Sequence, residues 1–298
     1  MLQHAPKRGG GIIKQNKENR RLLIQGIKDL PTLPIVFRKM IEMVEDEKTS
    51  VKDLSDLLSK DQSIMSSILK LVNSAFYGYQ GKIASIKQAI VILGFSTIRS
   101  IALGTSIFST NGKKKESSGF DRNALWIHSL GVATGARILA IDSGYKDIEE
   151  AFAAGLLHDV GKVVFDAFFS KDFREVLKLV KNEKIPMRYA EKEILGLDHA
   201  EAARILLKKW QLPEAVISAA SYHHNLHSTP NEYLELASMV SVSNRTCCKL
   251  RIGSGGDRNV PLISKTAIKA LKLTSPKISG IEEKLEEAKE NILMFELT

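Results

Sequence analysis

Apolar side chains recur every three or four residues along most of the chain from about Arg21 onward, which is the spacing of one face of an α-helix. No stretch alternates between apolar and polar residues for long enough to predict a β-sheet. The pattern therefore predicts an all-α fold. A clear example, broken near Asp61, is the set Leu54, Leu57, Leu58, Met65, Ile68, Leu69 and Val72.

Helix-capping residues divide this pattern into separate elements. Ser85 and Gln88 have the spacing of a capping box, and Gly94 predicts the end of that helix. Asp121 predicts the start of a long helix that continues through Leu139. Further helix starts are predicted at Asp147, Asp198, Thr229 (with Pro230 at the first helical position) and Ser279.

The polar, glycine-containing residues 110–120 separate two groups of predicted helices. We therefore expect a two-lobed protein, with an N-terminal helical lobe at 21–110, a linker at 111–120 and a second helical lobe at 121–298. Two domains of ordinary size agree with a length of 298 residues. Residues 1–20 combine three consecutive glycines with scattered charge and predict a disordered basic tail.

The net charge of +9 is concentrated in two short segments. Residues 1–21 contain six basic residues against one acidic residue, and Lys113 to Lys115 add three more positive charges. A nucleic-acid-binding surface more often places its basic residues on a folded face, among aromatic ones. Nucleic-acid binding through the tail is therefore the weakest of the functional hypotheses.

The composition also favours a protein of a reducing, aqueous compartment. The two cysteines, Cys247 and Cys248, are adjacent and poorly placed to bridge each other, so no disulfide framework is expected. No continuous apolar run reaches the ~20 residues of a membrane span. Arg20-Arg21 is not followed by the unbroken apolar stretch or the cleavage site of an export signal. We expect a cytoplasmic protein without a membrane partner.

Histidine and aspartate residues of the second lobe suggest a metal site. Of the seven histidines, only His4 lies outside this lobe. Imidazole and carboxylate groups bind divalent transition metals, and Asp159 could offer one oxygen to each of two ions. The alternative is a set of hydrogen-bonded interior histidines, an interpretation that we adopt for His227. The candidate ligands are His128, His158, Asp159, His199, His223 and His224.

Several motifs, in a fixed order, resemble those of one family. His158-Asp159, with His128 upstream, is similar to the HD superfamily of metal-dependent phosphohydrolases. The other motifs resemble the HDOD subfamily, with residues 21–255 together forming one HDOD domain. They are Leu30-Pro31-Thr32-Leu33-Pro34, Asp61-Gln62-Ser63, the segments at 71–78 and 86–94, Trp210-Gln211-Leu212-Pro213 and His223-His224.

This resemblance implies an all-α bacterial signal-transduction protein, in a family where most members have no demonstrated enzymatic activity. Similarity to the HD-GYP phosphodiesterases implies that Lys162 would reach a phosphate or a bound water, beside the catalytic carboxylate of Asp159. It also implies a dinuclear site and favours iron or manganese over nickel or zinc. A first metal would be held by His128, His158 and Asp159, and a second by Asp159, His199, His223 and His224.

Three positions depart from the HD pattern. Asn244 stands where the superfamily has its closing aspartate, so the first metal would have a weaker, uncharged ligand. Ala124 stands where some HD-GYP enzymes have a glutamate that binds a third metal. No Gly-Tyr-Pro signature follows His223-His224, which argues against hydrolysis of a cyclic dinucleotide.

These features favour a regulatory module whose metal site is structural or senses a ligand, with little or no catalysis. The alternative is a metal-dependent phosphohydrolase acting on a nucleotide or cyclic nucleotide, which the retained His158-Asp159 and Lys162 favour. We expect the N-terminal lobe to dock a signalling protein, and the metal site could receive a small phosphate-bearing ligand. Individual polar residues of that lobe are interpreted as structural: Asn73, Ser74, Tyr77 and Arg99.

Overall fold

The computed structural model describes residues 50–59, 62–73, 82–108, 118–257 and 259–295, together with Ile24, Lys39 and Met43. The predicted basic tail, residues 111–117 of the predicted linker, and Ser74 and Tyr77 lie outside the described residues. All regular secondary structure in the described ranges is helical, which confirms the all-α prediction.

The first group of helices lies within residues 50–108. Its longest helix bends at Gly94, whose φ of 76° and ψ of 166° interrupt the helical geometry. The predicted stop at Gly94 is therefore a kink between two helical halves. The helices of this group are α1 (Val51–Leu58), α2 (Gln62–Val72) and α3 (Ile86–Phe108).

The second group of helices begins after residue 121 and contains the predicted metal ligands. Two short 3₁₀ turns, Leu226–Ser228 and Asn231–Tyr233, lie between the helices Glu214–Tyr222 and Leu234–Leu250. The helices are α4 (Arg122–Ser143), α5 (Ile148–Leu157), α6 (Val160–Phe168), α7 (Ser170–Glu183), α8 (Met187–Leu195), α9 (His199–Lys209), α10 (Glu214–Tyr222), α11 (Leu234–Leu250), α12 (Lys265–Ala270) and α13 (Ser275–Leu293).

Helix α4 lies at the centre of the second group and packs against α5, α11 and α13. Helix α3 packs against α1 and α2 and also against α5, so one hydrophobic core continues through both groups. Removing this apolar surface from water supplies most of the stabilisation of such a fold. The same core surrounds His128, near the start of α4, which is only 1% exposed.

Three predicted aspartate caps are confirmed by hydrogen bonds to the first turns of their helices. Asp121 accepts a hydrogen bond from the N–H of the third residue of α4, and Asp147 does the same for α5. Asp198 and Glu201 form a complete capping box at the start of α9. This last cap fixes the position of His199, the first residue of α9.

Two predicted helix starts are wrong. Ser279 lies inside α13, which begins at Ser275 with Thr274 at the N-cap position and Pro276 in the first turn. Proline is tolerated there because the first N–H groups of a helix have no intrahelical partner. Thr229 ends one 3₁₀ turn, and the following turn separates it from the start of α11 at Leu234.

One helix in the described part of the chain, α4, is long and apolar enough to cross a membrane by length and composition alone. The two halves of α3 pass the same test only if they are taken together as one span, and the angle between them is 111°. In α4, 78% of the most apolar window is buried inside the protein, as in the core helix of many soluble proteins.

Candidate metal centre

The predicted ligands come together from the ends and faces of five helices. Their donor atoms form two groups that share Asp159, and within each group these atoms lie within 4.8 Å of one another. His158 follows the last residue of α5, and Asp159 precedes the first residue of α6. The first ligand group contains His128, His158 and Asp159, and the second ligand group contains Asp159, His199, His223 and His224.

His158 and His223 are oriented in the same way by the helices that precede them. The Nδ1 atom of His158 lies 2.7 Å from the carbonyl oxygen of Gly155, and that of His223 lies 2.8 Å from the carbonyl oxygen of Ala220. In the neutral ring the proton is then on Nδ1, and Nε2 carries a lone pair. Both Nε2 atoms are buried without a hydrogen-bond partner among the described residues.

His199 is oriented by Glu191, a residue that the sequence analysis missed. The Oε2 atom of Glu191 lies 2.6 Å from the Nδ1 atom of His199 and accepts its backbone N–H at 2.8 Å. Both side chains are fully buried. The Nε2 atom of His199 then lies 3.0 Å from the Nε2 atom of His224 and 3.2 Å from Oδ1 of Asp159.

Asp159 faces both groups. Its Oδ2 atom accepts a hydrogen bond from Lys162 at 2.7 Å and lies 3.4 Å from Nε2 of His158. Its buried Oδ1 atom has no hydrogen-bond partner in the described part of the chain and lies 3.2 Å from Nε2 of His199 and 3.8 Å from Nε2 of His223. Burial alone would raise the pKa of Asp159, but the nearby His158 and Lys162 hold it well below its usual range. The carboxylate is therefore ionised.

Asn244 lies beside the first ligand group. Its Oδ1 atom lies 3.1 Å from the Nε2 atom of His128, whose Nδ1 atom lies 3.3 Å from the carbonyl oxygen of Ile252. If Nδ1 donates to Ile252, two acceptor atoms face each other at Asn244, an arrangement that a cation between them would stabilise. The thiol of Cys248 donates to the same amide oxygen at 3.6 Å.

The segment Ile252–Asp257, called the covering segment below, closes over the centre. A Cβ atom at Gly255 would lie 3.0 Å from both Oδ2 of Asp159 and Nζ of Lys162, so the segment leaves no room for a side chain at this position. Asp257 accepts the first N–H of α8 at 2.7 Å and lies 3.9 Å from Lys162. The glycines of this segment were visible in the sequence, but nothing local linked them to the histidines.

The described residues fit a metal site. Buried imidazole and carboxylate acceptors converge, while the proton-bearing nitrogens of His158 and His223 point away toward backbone carbonyls. Unpaired buried acceptors are costly unless a cation or donor compensates them. A cluster of nitrogen and oxygen ligands suits divalent transition metals. The cluster could therefore hold a metal.

Comparison with known proteins agrees with this geometry. The family model of the HDOD domain matches residues 30–226. The chain belongs to the HDOD domain family. An uncharacterized protein of Treponema pallidum is 29% identical over 221 residues, which are 74% of this chain and 42% of that protein. The chain spans less than half the length of the curated relatives that it matches.

Solved structures share the fold of this HDOD protein. An HDOD domain protein of unknown function from Geobacter sulfurreducens is 27% identical, with a TM-score of 0.74 and coverage of 95% of this chain and 97% of the other. A Shewanella amazonensis protein, named as a candidate phosphohydrolase, is 24% identical, with a TM-score of 0.71 and coverage of 92% and 96%. The second likeness supports the fold alone.

His227 lies outside the cluster of the HDOD protein, but its predicted burial is wrong. It is exposed in the 3₁₀ turn Leu226–Ser228, where its Nδ1 atom lies 3.2 Å from the hydroxyl of Thr266.

In the N-terminal group of helices, the side-chain amide of Asn73 forms hydrogen bonds with both the N–H and the carbonyl of Ile83, each at 2.7 Å. This pairing ties the end of α2 to the segment before α3.

Burial changes the protonation of the histidines. Burial, and then the charge of His158, lowers the pKa of His128 to about 4. Burial, followed by neighbouring histidines, also lowers the pKa of His223 and His224. For His199, burial acts in the same direction, but the carboxylate of Glu191 outweighs it and raises the pKa.

We predict that the metal-free protein loses stability as the pH falls from 7.5 to 5. A histidine with a depressed native pKa takes up protons in the unfolded chain first, so its contribution is lost below about pH 6.5. His128 alone should account for about 2 kcal/mol over this interval. His199 acts in the opposite direction, because its contribution is present below the unfolded pKa and is lost as the pH rises.

Urea unfolding at each pH measures this effect. His128→Gln should flatten the dependence, whereas His227→Gln, a change at an exposed histidine, should leave it unchanged. A free energy of unfolding that stays constant between pH 7.5 and 5 in the wild type would contradict the assignment of neutral, buried histidines.

Proposed function

We propose that this HDOD protein is a regulatory module of signal transduction, with a dinuclear metal centre that is structural or senses a ligand and has little or no catalytic activity. The covering segment supports this proposal, because a Cβ atom at Gly255 would already lie 3.0 Å from Asp159 and Lys162, which leaves little space beside them. A phosphoester substrate would need the same space. We propose iron or manganese as the physiological metal rather than nickel or zinc, and a cytoplasmic location.

The charges around Lys162 support the same conclusion. Its ammonium group donates to Asp159 at 2.7 Å and lies 3.9 Å from Asp257, and its side chain is only 2% exposed. Two carboxylates therefore flank the lysine of this cluster, the group proposed to contact a phosphate. An incoming phosphate would have to compete with both of them in a buried setting.

The first ligand group also lacks the negative charge expected of a hydrolytic centre. Two bound metals would supply a water of lowered pKa and a clamp for the phosphate. His128 and His158 would bind as neutral ligands, and Asn244 adds an amide oxygen without charge. Asp159 would be shared between the two ions. The side chains of this group could therefore hold a metal, but without the second carboxylate that would favour hydrolysis.

A metal-dependent phosphohydrolase acting on a nucleotide or cyclic nucleotide is the second candidate function. The contact between Lys162 and Asp159 within the cluster favours it, because a lysine at this place could contact a phosphate once the covering segment had moved. We further propose that the N-terminal helices dock a signalling protein. In support, both candidate metal-ligand groups found among the described residues lie in the second group of helices, which leaves the N-terminal helices to another role.

Turnover of bis(p-nitrophenyl) phosphate by the metal-loaded protein tests the proposal. We expect wild-type turnover close to that of the metal-free protein. Asn244→Asp should raise it, because the added carboxylate supplies the missing negative charge beside His128. His227→Gln is the control, since His227 lies outside the cluster. Fast wild-type turnover that Lys162→Gln abolishes would contradict the proposal and establish the second candidate.

A further inference from the structure

The two ligand groups share Asp159, but the two oxygens of this carboxylate are not equivalent. Oδ2 accepts a hydrogen bond from Lys162 at 2.7 Å and lies 3.4 Å from Nε2 of His158, in the first ligand group. Oδ1 has no hydrogen-bond partner within the described ranges and lies 3.2 Å from Nε2 of His199, in the second ligand group. An ion in the second ligand group therefore meets an unshared carboxylate oxygen, whereas an ion in the first must share Oδ2 with an ammonium group.

The positive charge of Lys162 also acts directly on the first ligand group. Its side chain is 2% exposed, so a metal ion beside it would meet a repulsion that water screens poorly. The other ligands of this group, His128 and His158, bind a metal as neutral rings, and the adjacent Asn244 offers only an amide oxygen. Lys162 therefore opposes an ion in the first ligand group for as long as it stays paired with Asp159.

The outer hydrogen bonds of the histidines differ between the groups in the same sense. Nδ1 of His199 lies 2.6 Å from the buried carboxylate of Glu191. In the first ligand group, Nδ1 of His128 and Nδ1 of His158 face neutral backbone carbonyls, at 3.3 Å and 2.7 Å. A carboxylate behind an imidazole makes the ring a more basic ligand, and its loss typically weakens metal binding by about 10–100-fold. The second ligand group is therefore the stronger of the two.

We propose that the centre fills in a fixed order, the second ligand group first, and that the first ligand group accepts an ion only when Lys162 leaves Asp159. This inference rests on the proposed dinuclear centre and describes its regulation by the supply of metal. The displaced ammonium group has another carboxylate within reach, because Asp257 of the covering segment lies 3.9 Å away. Low metal then gives one ion and a pair between Lys162 and Asp159, and high metal gives two ions and a pair between Lys162 and Asp257.

Titration of the metal-free protein with manganese(II), followed by equilibrium dialysis and electron paramagnetic resonance, tests this order. We expect two binding steps whose dissociation constants differ by at least about tenfold. The first equivalent should give the spectrum of an isolated bound ion. The second equivalent should add the broadened spectrum of a spin-coupled pair, since the ions of such pairs lie about 3.5–4 Å apart.

Three substitutions should act on different steps. Glu191→Gln keeps an acceptor oxygen for His199 but removes the charge, so it should weaken the tight step by about tenfold or more and leave the weak step unchanged. Lys162→Gln removes the competing ammonium group and should strengthen the weak step. Asp257→Asn can still accept the N–H of Met187 but cannot pair with the displaced lysine, so it should weaken the weak step alone.

Glu201→Gln is the matched control for Glu191→Gln. Glu201 lies in the first turn of α9, as His199 does, and its carboxylate accepts the backbone N–H of Asp198 at 3.2 Å as part of the capping box. Glutamine serves as well as glutamate in a capping box, so both steps should keep their wild-type dissociation constants.

The outcomes separate this inference from the proposed function. Two steps of equal affinity, or a coupled-pair spectrum at the first equivalent, would overturn the fixed order and leave the dinuclear centre in place. So would a Glu191→Gln variant that weakens the weak step instead of the tight one. Binding of one ion at every concentration, or of none, would contradict the dinuclear centre and this inference with it. If Lys162→Gln fails to fold, Asp257→Asn decides, because an unchanged weak step there would overturn the displacement of the lysine.

Discussion

Asp159→Ala is expected to abolish most of the stabilisation that metal ions give to this protein. An ion that binds only the native state adds about 2.7 kcal/mol at a hundredfold excess over its dissociation constant. Asp159 is the one residue shared by both ligand groups, so its removal weakens both positions. The melting temperature of the variant should therefore barely respond to added metal.

The same substitution should also destabilise the metal-free protein. Lys162 is 2% exposed, and Asp159 is its partner at 2.7 Å. Removing one member of a buried ion pair leaves an uncompensated charge, which typically costs about 3–5 kcal/mol. Asp257, at 3.9 Å from Lys162, would compensate only part of that charge.

Thermal unfolding with and without metal measures both effects. Asp142→Ala is a matched control, because Asp142 also pairs with a lysine, Lys284, at 2.7 Å, but on the surface. That change should cost at most about 1 kcal/mol and leave the response to metal intact. If Asp159→Ala melted with the wild-type response to metal, the assignment of Asp159 as the shared ligand would be wrong.

Gly161→Ala is expected to destabilise the protein by about 3 kcal/mol or more and to disrupt the second ligand group. The added Cβ atom would lie 2.1 Å from the carbonyl oxygen of His199, so the backbones of α6 and α9 would have to separate. Since His199 is the first residue of α9, this movement would displace its imidazole from Asp159.

Gly280→Ala distinguishes this steric effect from helix propensity. Both glycines lie in helices, and nothing lies within 4 Å of a Cβ atom at Gly280. Alanine in a helix interior is favoured over glycine by about 1 kcal/mol, so propensity alone predicts stabilisation at both positions. Urea unfolding should show opposite signs for the two variants. Stabilisation by Gly161→Ala would contradict the close approach of α6 to α9.

Local signals in the sequence predict much of this fold. Aspartate caps such as Asp121 and Asp198 act through hydrogen bonds within three residues, so they are visible without knowledge of the tertiary structure. Ser279 misled because its spacing to Glu282 has the form of a capping box, while the helix already starts near Pro276. In this case the earlier N-cap at Thr274 determines the boundary.

The candidate site divides in a similar way. The histidines were identified by residue type and by the order of the family motifs. Glu191 and Asp257 were missed, because they reach His199 and Lys162 only through the packing of separate elements. No spacing rule along the chain indicates such contacts. The shared position of Asp159 was expected from the chemistry of carboxylates, and its contacts with Lys162 and His199 lie on opposite oxygens.

The covering segment also determines how quickly an ion could leave. His128, His158 and Asp159 are at most 1% exposed, and a Cβ atom at Gly255 would lie 3.0 Å from Asp159, so this segment would shield an ion held by the first ligand group from solvent. Release of such an ion would require local opening of the segment, whereas His224, in the second ligand group, is partly exposed. An ion in the first position would therefore exchange slowly when the supply of metals changes, and an ion in the second position would exchange faster.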